Sequence, residues 1–360
     1  MQKLFGSGST SDVQVYNQYE NQQYGPAFDG SIKPVGLAVE DGSIQELPYQ
    51  WNEGEGKNAF WDKGFTNQTD ISLSSGTNKG SLYFSAQYLN ATGTIPGDKY
   101  NRATVRVNGT QNIVPILDLN YSAYYAQNRY NTTSQTSGIY NNVLNSPGQV
   151  PLTRYNDWQN DKFSSPDGYY NAYYTNPYFL ADNYRSLTRN DYFVGNASLV
   201  LKPVKGFDLT SRLGFTTRNV TGESTADVYS FSDYTKAQSA FAGTYKVRDL
   251  TGSYGNNFSY STKIIYDLVA HTQQNVGDFK LDLTGAFNLI QQKDAANSAS
   301  INGLVNPGLF NLNNSLTPPS ASNSQSLERT LAGWGKFDVA FRNFLFLTVT
   351  GRNDWFSVLS

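Results

Sequence analysis

The chain has 360 residues, with 27 Lys+Arg against 29 Asp+Glu, and only 16% of its residues are charged, below the roughly 25% of an ordinary soluble domain. A net charge of −2 gives no electrostatic ground for a nucleic-acid partner, and the absence of Cys excludes disulfide frameworks, thiolate nucleophiles, zinc ribbons and iron–sulfur sites. Aromatics reach 14% while mean hydropathy is −0.51, a combination suited to a surface that meets lipid on one side and water on the other.

Taken in chain order, the segment after Met1 lacks the apolar core of a signal peptide, and nothing downstream approaches the roughly 20 apolar residues of a transmembrane helix. Val13–Tyr19 reads as a weak strand. Period-2 alternation then predicts strands near 69–75, 82–88, 103–108, 116–127 and 191–201. At 207–217, Phe207, Leu209, Leu213 and Phe215 share a face, with Asp208, Thr210, Arg212 and Thr216 on the other. At 254–266, Phe258, Tyr260, Ile264 and Tyr266 oppose Asn257, Ser259, Ser261 and Lys263. At 278–289, Phe279, Leu281, Leu283, Phe287 and Leu289 oppose Asp278, Lys280, Asp282, Thr284 and Asn288. Strands near 329–341 and 344–351 complete a set of ten, or eleven with Val13–Tyr19. Such runs match the roughly 9–11 tilted residues that cross a bilayer.

The connections sharpen this reading. They alternate short (76–81, 109–115, 202–206, 267–277, 342–343) and long (89–102, 128–190, 218–252, 291–328). An up-and-down barrel with one rim of turns and one of loops produces that alternation. The fold class is therefore all-β: a transmembrane antiparallel β-barrel, of which residues 1–360 supply roughly ten to eleven strands. Left open, the sheet would bare backbone groups that lipid cannot satisfy, so a larger barrel is expected.

Several motifs resemble one family. Tyr24-Gly-Pro-Ala-Phe-Asp-Gly30 is similar to the W-G-P-x-x-D-G segment of SusC/RagA-type TonB-dependent outer-membrane transporters. The stretch from Phe65 to Gly93 resembles their early barrel hairpin, Asn101-Arg102 through Asn108 the strand after it, and Gly351-Arg352-Asn353-Asp354-Trp355 their G-R-N-D-W strand end. Tyr24 in place of Trp, and Phe356-Ser357-Val358 in place of S-S-T, depart from the pattern at positions read as loops. The resemblance implies a barrel of about 22 strands around a plugged lumen. The signal peptide, TonB box, plug and C-terminal strands would lie outside this chain. It further implies active import of oligosaccharides, or of other nutrients such as peptides, across a bacterial outer membrane. Its implied partners are outer-membrane lipid, the TonB complex acting through the plug, and a SusD-like surface lipoprotein. The alternative is a passive pore or an adhesin barrel without energy coupling. A secreted carbohydrate-binding or hydrolytic protein is a third reading, opposed by the apolar row from Phe279 to Leu289.

Candidate substrate- or lid-contacting residues are the loop aromatics Trp51, Trp61, Trp158, Tyr169, Tyr170, Tyr173 and Tyr174, because sugar C–H faces stack on aromatic rings. The longest connection, 128–190, is too rich in aromatics for disorder and is expected to fold over the barrel mouth. Asp157 with Asp161, and Asp227 with Asp233, are read as solvated loop acids rather than glycosidase pairs. No catalytic residue and no cofactor is expected, since G-x-S-x-G, P-loop and dinucleotide patterns are missing from the sequence. Calcium at loop carboxylates has no EF-hand spacing behind it. His271, the only histidine, is placed in a turn of the short-connection rim and read as exposed.

Overall fold

A computed structural model describes residues 3–8, 14–342 and 344–359. Ten strands form one antiparallel sheet in strict sequence order: β3 (Thr66–Thr77), β4 (Gly80–Thr92), β5 (Lys99–Val114), β6 (Leu117–Thr133), β7 (Tyr184–Val204), β8 (Phe207–Tyr229), β9 (Leu250–Val276), β10 (Phe279–Asn302), β11 (Ser320–Phe341) and β12 (Leu345–Leu359). All ten predicted strands are present. A two-stranded hairpin, β1 (Ile32–Val35) with β2 (Gln45–Pro48), stands apart from them. The expected eleventh strand is not there: residues 14–20 are irregular, and Val13 lies outside the described residues. Among the described residues, β3 and β12 are edges, each paired on one side only.

The strands run well past their predicted limits. β9 spans 27 residues and β10 spans 24, far beyond the roughly 9–11 needed to cross a bilayer. Their distal halves are rich in Asn, Ser and Thr, which carry no period-2 hydrophobic signal, yet the backbone ladder continues there because the neighbouring strands run on beside them and keep the pairing in register. Three expectations change as a result. The connection expected at 89–102 shrinks to 93–98, and that at 128–190 to 134–183. Gly351–Trp355 and the residues after it lie within β12, where Trp355 sits opposite Leu331 and Phe356 opposite Thr330. His271 lies in β9, opposite Asp208 and Thr284, and not in a turn.

Register fixes two unlike faces. Gly109, Tyr121, Ala197, Leu213, Tyr266, Leu289 and Leu331 oppose one another across seven strands in a single row. Leu213, Phe215, Leu283 and Phe287 on this face are exposed although β8 and β10 are each paired on both sides. One residue along each strand, the opposite face carries Ser74, Asn108, Ser122, Asn196, Arg212 and Asp267. Because strand side chains alternate, this segregation holds wherever the register does. Two irregularities are recorded, at Asn112/Val114 and Leu201/Val204, both close to the turn rim. The predicted facing is met: Leu209, Leu213, Phe215, Leu281 and Leu283 share the apolar face, and Arg212, Lys280 and Asp282 the polar one.

The two rims also differ. Adjacent strands turn tightly at 78–79, 115–116, 205–206 and 277–278, with Gly206 and Gly277 at positive φ, a conformation that only Gly adopts without strain. At the other rim the 134–183 connection holds α1 (Thr136–Asn145) and α2 (Pro177–Asn183), and the β8–β9 connection holds α3 (Asp233–Ala237).

Candidate functional site

The loop rim carries a small globule, here called the cap. Its core comes from distant parts of the chain: Val35 and Leu47 of the hairpin, Phe60, Ile95, Ile139 and Val143 of α1, and Leu152, Tyr155, Tyr169, Tyr170, Phe179 and Leu180. Edge-to-face ring contacts organise it. Phe179 meets Trp158 at 4.9 Å and Tyr229 at 5.4 Å, while Tyr155 meets Tyr169 at 5.2 Å. Each such pair contributes about 0.5–1.5 kcal/mol beyond the area it buries.

Polar groups hold this core in register. Asn176 is fully buried; its side chain donates to the carbonyls of Tyr155 and Ser164, both at 2.7 Å, and accepts from the Tyr178 amide at 2.9 Å. It thereby caps α2, whose first residue is Pro177, a residue pre-set for that position. The Asp167 carboxylate accepts from the Tyr229 hydroxyl at 2.7 Å and the Ser232 amide at 2.9 Å, tying the two longest connections together. Arg185 at the start of β7 pairs with Asp98 at 3.0 Å and donates to the carbonyls of Ala181 and Asn131, both at 2.9 Å. The Lys246 ammonium is buried, donates to the carbonyls of Tyr169 (2.8 Å) and Asp167 (3.2 Å), and lies over the Phe241 ring. Burial lowers its pKa to about 7. The same loss of water pushes the Tyr170 hydroxyl up to about 12 and that of Tyr169 well above its ordinary value.

The predicted contact aromatics divide into two groups. Tyr169 and Tyr170 are each 2% exposed and pack into the cap core, so they have no free ring face to offer. Burial corrects the expectation that they reach a ligand here. Trp61 and Trp158 are half-buried against the same core. Trp158 donates to Asp182 at 3.0 Å, and Trp51 to Glu53 at 2.6 Å. Tyr173 is 57% exposed, and the neighbouring Tyr174 is partly exposed. The loop acids are structural: Asp157 accepts from Asn160, Asp161 from Ser164, and Asp227 from the Val228 and Gly308 amides. Among the described residues, no group of three or more His, Cys, Asp or Glu side chains is placed to hold a metal ion.

Below the cap, the polar face of the sheet forms a continuous hydrogen-bonding wall. A hollow of about 740 Å³ lies on it, lined by Ser74, Tyr83, Asn108, Asn120, Asn196 and Arg212. Toward the cap, Arg102 donates to Gln87 at 2.7 Å, and Gln87 donates to Asp70 at 2.6 Å. Toward the turn rim, the His271 ring bridges Asp208 (2.9 Å) and Asp282 (3.1 Å). This partly buried bridge replaces the exposed turn histidine of the sequence reading, because β9 continues through position 271. Arranged this way, the wall can pass polar solutes along exchangeable donors and acceptors.

Sequence reasoning passed over Asn176, Phe179, Arg185 and Lys246. Asn176-Pro177 was a readable helix start. The other three carry no local signal, since their roles depend on partners far away in the chain.

A two-faced antiparallel wall, with tight turns at one rim and a folded cap at the other, defines the class: this is the wall of a transmembrane β-barrel. Its particular form is found in solved structures of RagAB. The chain superposes on the "RagAB peptide transporter" with TM-score 0.58 at 17% identity, over 81% of this chain and 32% of that one. The RagAB peptide importer in the "closed-closed" state gives 0.59 at 17% identity, over 86% and 34%. The "open-open" state gives 0.60 at 18%, over 83% and 32%. The chain thus spans about a third of the length of these structures. No family model matches it, and no curated protein does. The likeness shows the fold expected from the SusC/RagA-type resemblance.

Proposed function

We propose that this chain forms part of the wall and mouth of a TonB-dependent outer-membrane importer for oligomeric nutrients, oligosaccharides or peptides, working with a SusD-like surface lipoprotein. The observation that carries the reading is the division of one sheet into a lipid-type face and a hydrogen-bonding face, with the folded cap confined to one rim. The RagAB fold supports it, since those structures are of a peptide importer. Both oligosaccharides and peptides offer dense hydroxyl or amide groups that suit the polar wall. In this reading the sheet closes with further strands, a plug coupled to TonB governs passage, and the barrel breaks no bond in its cargo. On this reading the cap residues that meet cargo or lid are Tyr173, Tyr174, Trp51, Trp61 and Trp158, with the exposed side chains of Tyr140 and Leu144 on α1 beside them.

The test is uptake of labelled oligosaccharides and peptides by cells carrying the intact protein, with and without a protonophore. Active import predicts accumulation against a gradient that collapses when the proton gradient does. Uptake that equilibrates and ignores the protonophore would instead establish a passive pore. Co-purification of a surface lipoprotein with the intact protein checks the partner.

A further inference from the structure

One strip of the polar face departs from its Asn- and Ser-rich surroundings. At the hollow below the cap, Tyr83 of β4 stands opposite Asn108, and Asn108 opposite Ser122 of β6. Two residues nearer the cap on β6 comes Tyr124, and two beyond it Ala126, opposite Tyr192 of β7. Tyr130 follows near the end of β6, stacked on Tyr100 at 4.8 Å. These rings keep the parity of the lumen-type face, since the one register shift in their pairings, at Asn112/Val114, lies toward the turn rim. From Tyr83 to Tyr192 the tyrosines climb the wall two residues at a time, about 7 Å of strand per step.

Arginines accompany the rings. Arg106 is opposite Tyr124 and lies over its ring at 5.0 Å, Arg218 is opposite Tyr192, and Arg102 is opposite Asn128, one step below Tyr130. None of the three has an ion-pair partner among the described residues. Arg102 donates to Gln87 and Arg218 to Asn190, both neutral, and the buried Arg102 Nε has no acceptor. Acids of this face do not cancel them. Asp70, across β4 from Arg102, already accepts from Gln68 at 2.8 Å and Gln87 at 2.6 Å. Asp294 shares a row with Arg218, and Glu328 a row with Lys263, but each is two strands away, about 10 Å of sheet. Lys263 therefore adds a further cation beside the strip.

A guanidinium stacked on a ring keeps its in-plane N–H donors free for a carboxylate. An open tyrosine face accepts the C–H face of a sugar, and Tyr83 and Tyr130 are 39% and 40% exposed. We propose that this ladder is a track for an acidic oligosaccharide, a linear chain of sugar rings bearing carboxylates. The rings pass along the tyrosines while the carboxylates meet Arg106, Arg218 and Arg102. A sugar chain is favoured over an acidic peptide because the latter engages the arginines but offers no saturated ring to the tyrosines. The inference rests on the import reading above and narrows its cargo to one charge class.

The experiment is isothermal titration calorimetry on the intact protein in detergent, with hexagalacturonate, neutral maltohexaose and hexaglutamate as probes. Hexagalacturonate should bind at least tenfold more tightly than either of the others, and its affinity should fall as salt is raised. Arg106→Gln with Arg218→Gln should weaken hexagalacturonate at least tenfold and leave maltohexaose unchanged. Tyr83→Ala with Tyr192→Ala should weaken hexagalacturonate by a similar factor, whereas Lys293→Gln on the outward face should change nothing. Heat-modifiable gel migration confirms assembly of each variant, and the salt series needs no variant. Equal affinity for the acidic and neutral sugars would overturn the proposal, as would hexaglutamate binding as tightly as hexagalacturonate. So would an affinity indifferent to the double arginine substitution. Calorimetry in detergent draws on no proton gradient, so loss of active uptake would leave a positive result standing, and failure of the ladder would leave the importer open to neutral cargo.

Discussion

The wall and the cap are built from one chain by two different kinds of stabilisation. In the wall, each strand is held by its neighbours through backbone pairs, and many large apolar side chains of its outer face, such as Leu213, Leu283 and Phe287, stay uncovered by protein. In the cap, helices are short and backbone pairing is sparse, and cohesion comes from a packed aromatic core with buried polar ties such as Asn176 and Lys246. The wall needs only the right face at each position. The cap needs the right shape.

That difference predicts where single substitutions hurt most. Phe179 is 1% exposed and touches Trp158, Tyr184 and Tyr229. Phe179→Ala should destabilise the cap by about 3–5 kcal/mol, the cost of a large buried aromatic and its cavity. Hydrogen exchange should show amides of 134–183 losing protection while β8–β10 keep theirs; loss spread evenly over wall and cap would mean that they fold as one unit. On the wall, Leu213→Arg should cost roughly 2–4 kcal/mol by placing a charge against lipid. Ser122→Arg, opposite Asn108 and Asn196 on the polar face, should cost much less in a denaturant titration of the intact protein. Equal penalties would abolish the two-faced reading.

The same contrast explains what could be read in advance. All ten wall strands were legible because alternation such as Leu209/Leu213/Phe215 against Asp208/Arg212/Thr216 is a local pattern, repeated wherever one face meets lipid. It fails at the loop-side strand ends, where Asn, Ser and Thr occupy both faces and leave no period to detect, so 128–133 and 184–190 read as loop; near the turn rim the run Asp267-Leu-Val-Ala-His271-Thr-Gln-Gln breaks the alternation and hides His271 in the same way. The cap was legible only as an aromatic-rich loop. Tyr169 and Tyr170 share a dipeptide with nothing local to say that they turn inward, while four positions on Tyr173 turns out. That outcome is set by Tyr155 and Lys246, which reach them only after the chain has folded.

The cap's pH response gives a smaller effect with a definite sign. Lys246 has its pKa lowered from 10.5 to about 7 by burial. Between these values the unfolded cap holds a proton that the folded cap lacks, so stability should rise with pH across that window, by at most about 1.4 kcal/mol per unit. Below about pH 7 both states carry the proton, and this dependence vanishes. Lys246→Met should flatten the curve. The readout is hydrogen-exchange protection of 164–170, corrected for intrinsic rate, in wild type against Lys246→Met. A cap whose stability stays flat from pH 7 to 9 would overturn this and show that the two carbonyl bonds and the Phe241 ring keep Lys246 charged in the fold.

The smallest structural effect should fall on the residue with the most functional promise. Tyr173 is exposed, its ring absent from the contacts that build the cap core, and its backbone amide is already held by the Asn171 side chain at 2.7 Å. Tyr173→Ala should therefore change stability by no more than about 0.5 kcal/mol, as expected for a surface site away from special features. Tyr169→Ala, four residues earlier, should cost several times more because it empties a filled site. If the exposed ring meets cargo or lid, the silent substitution is the one that slows import or loosens the lipoprotein. The destabilising one would act only by unfolding the cap. Comparing uptake by the two variants at matched surface expression separates contact from packing. Unaltered uptake and lid capture in Tyr173→Ala would remove Tyr173 from the contact surface and shift attention to Trp51, Trp61 and Trp158 on the same cap.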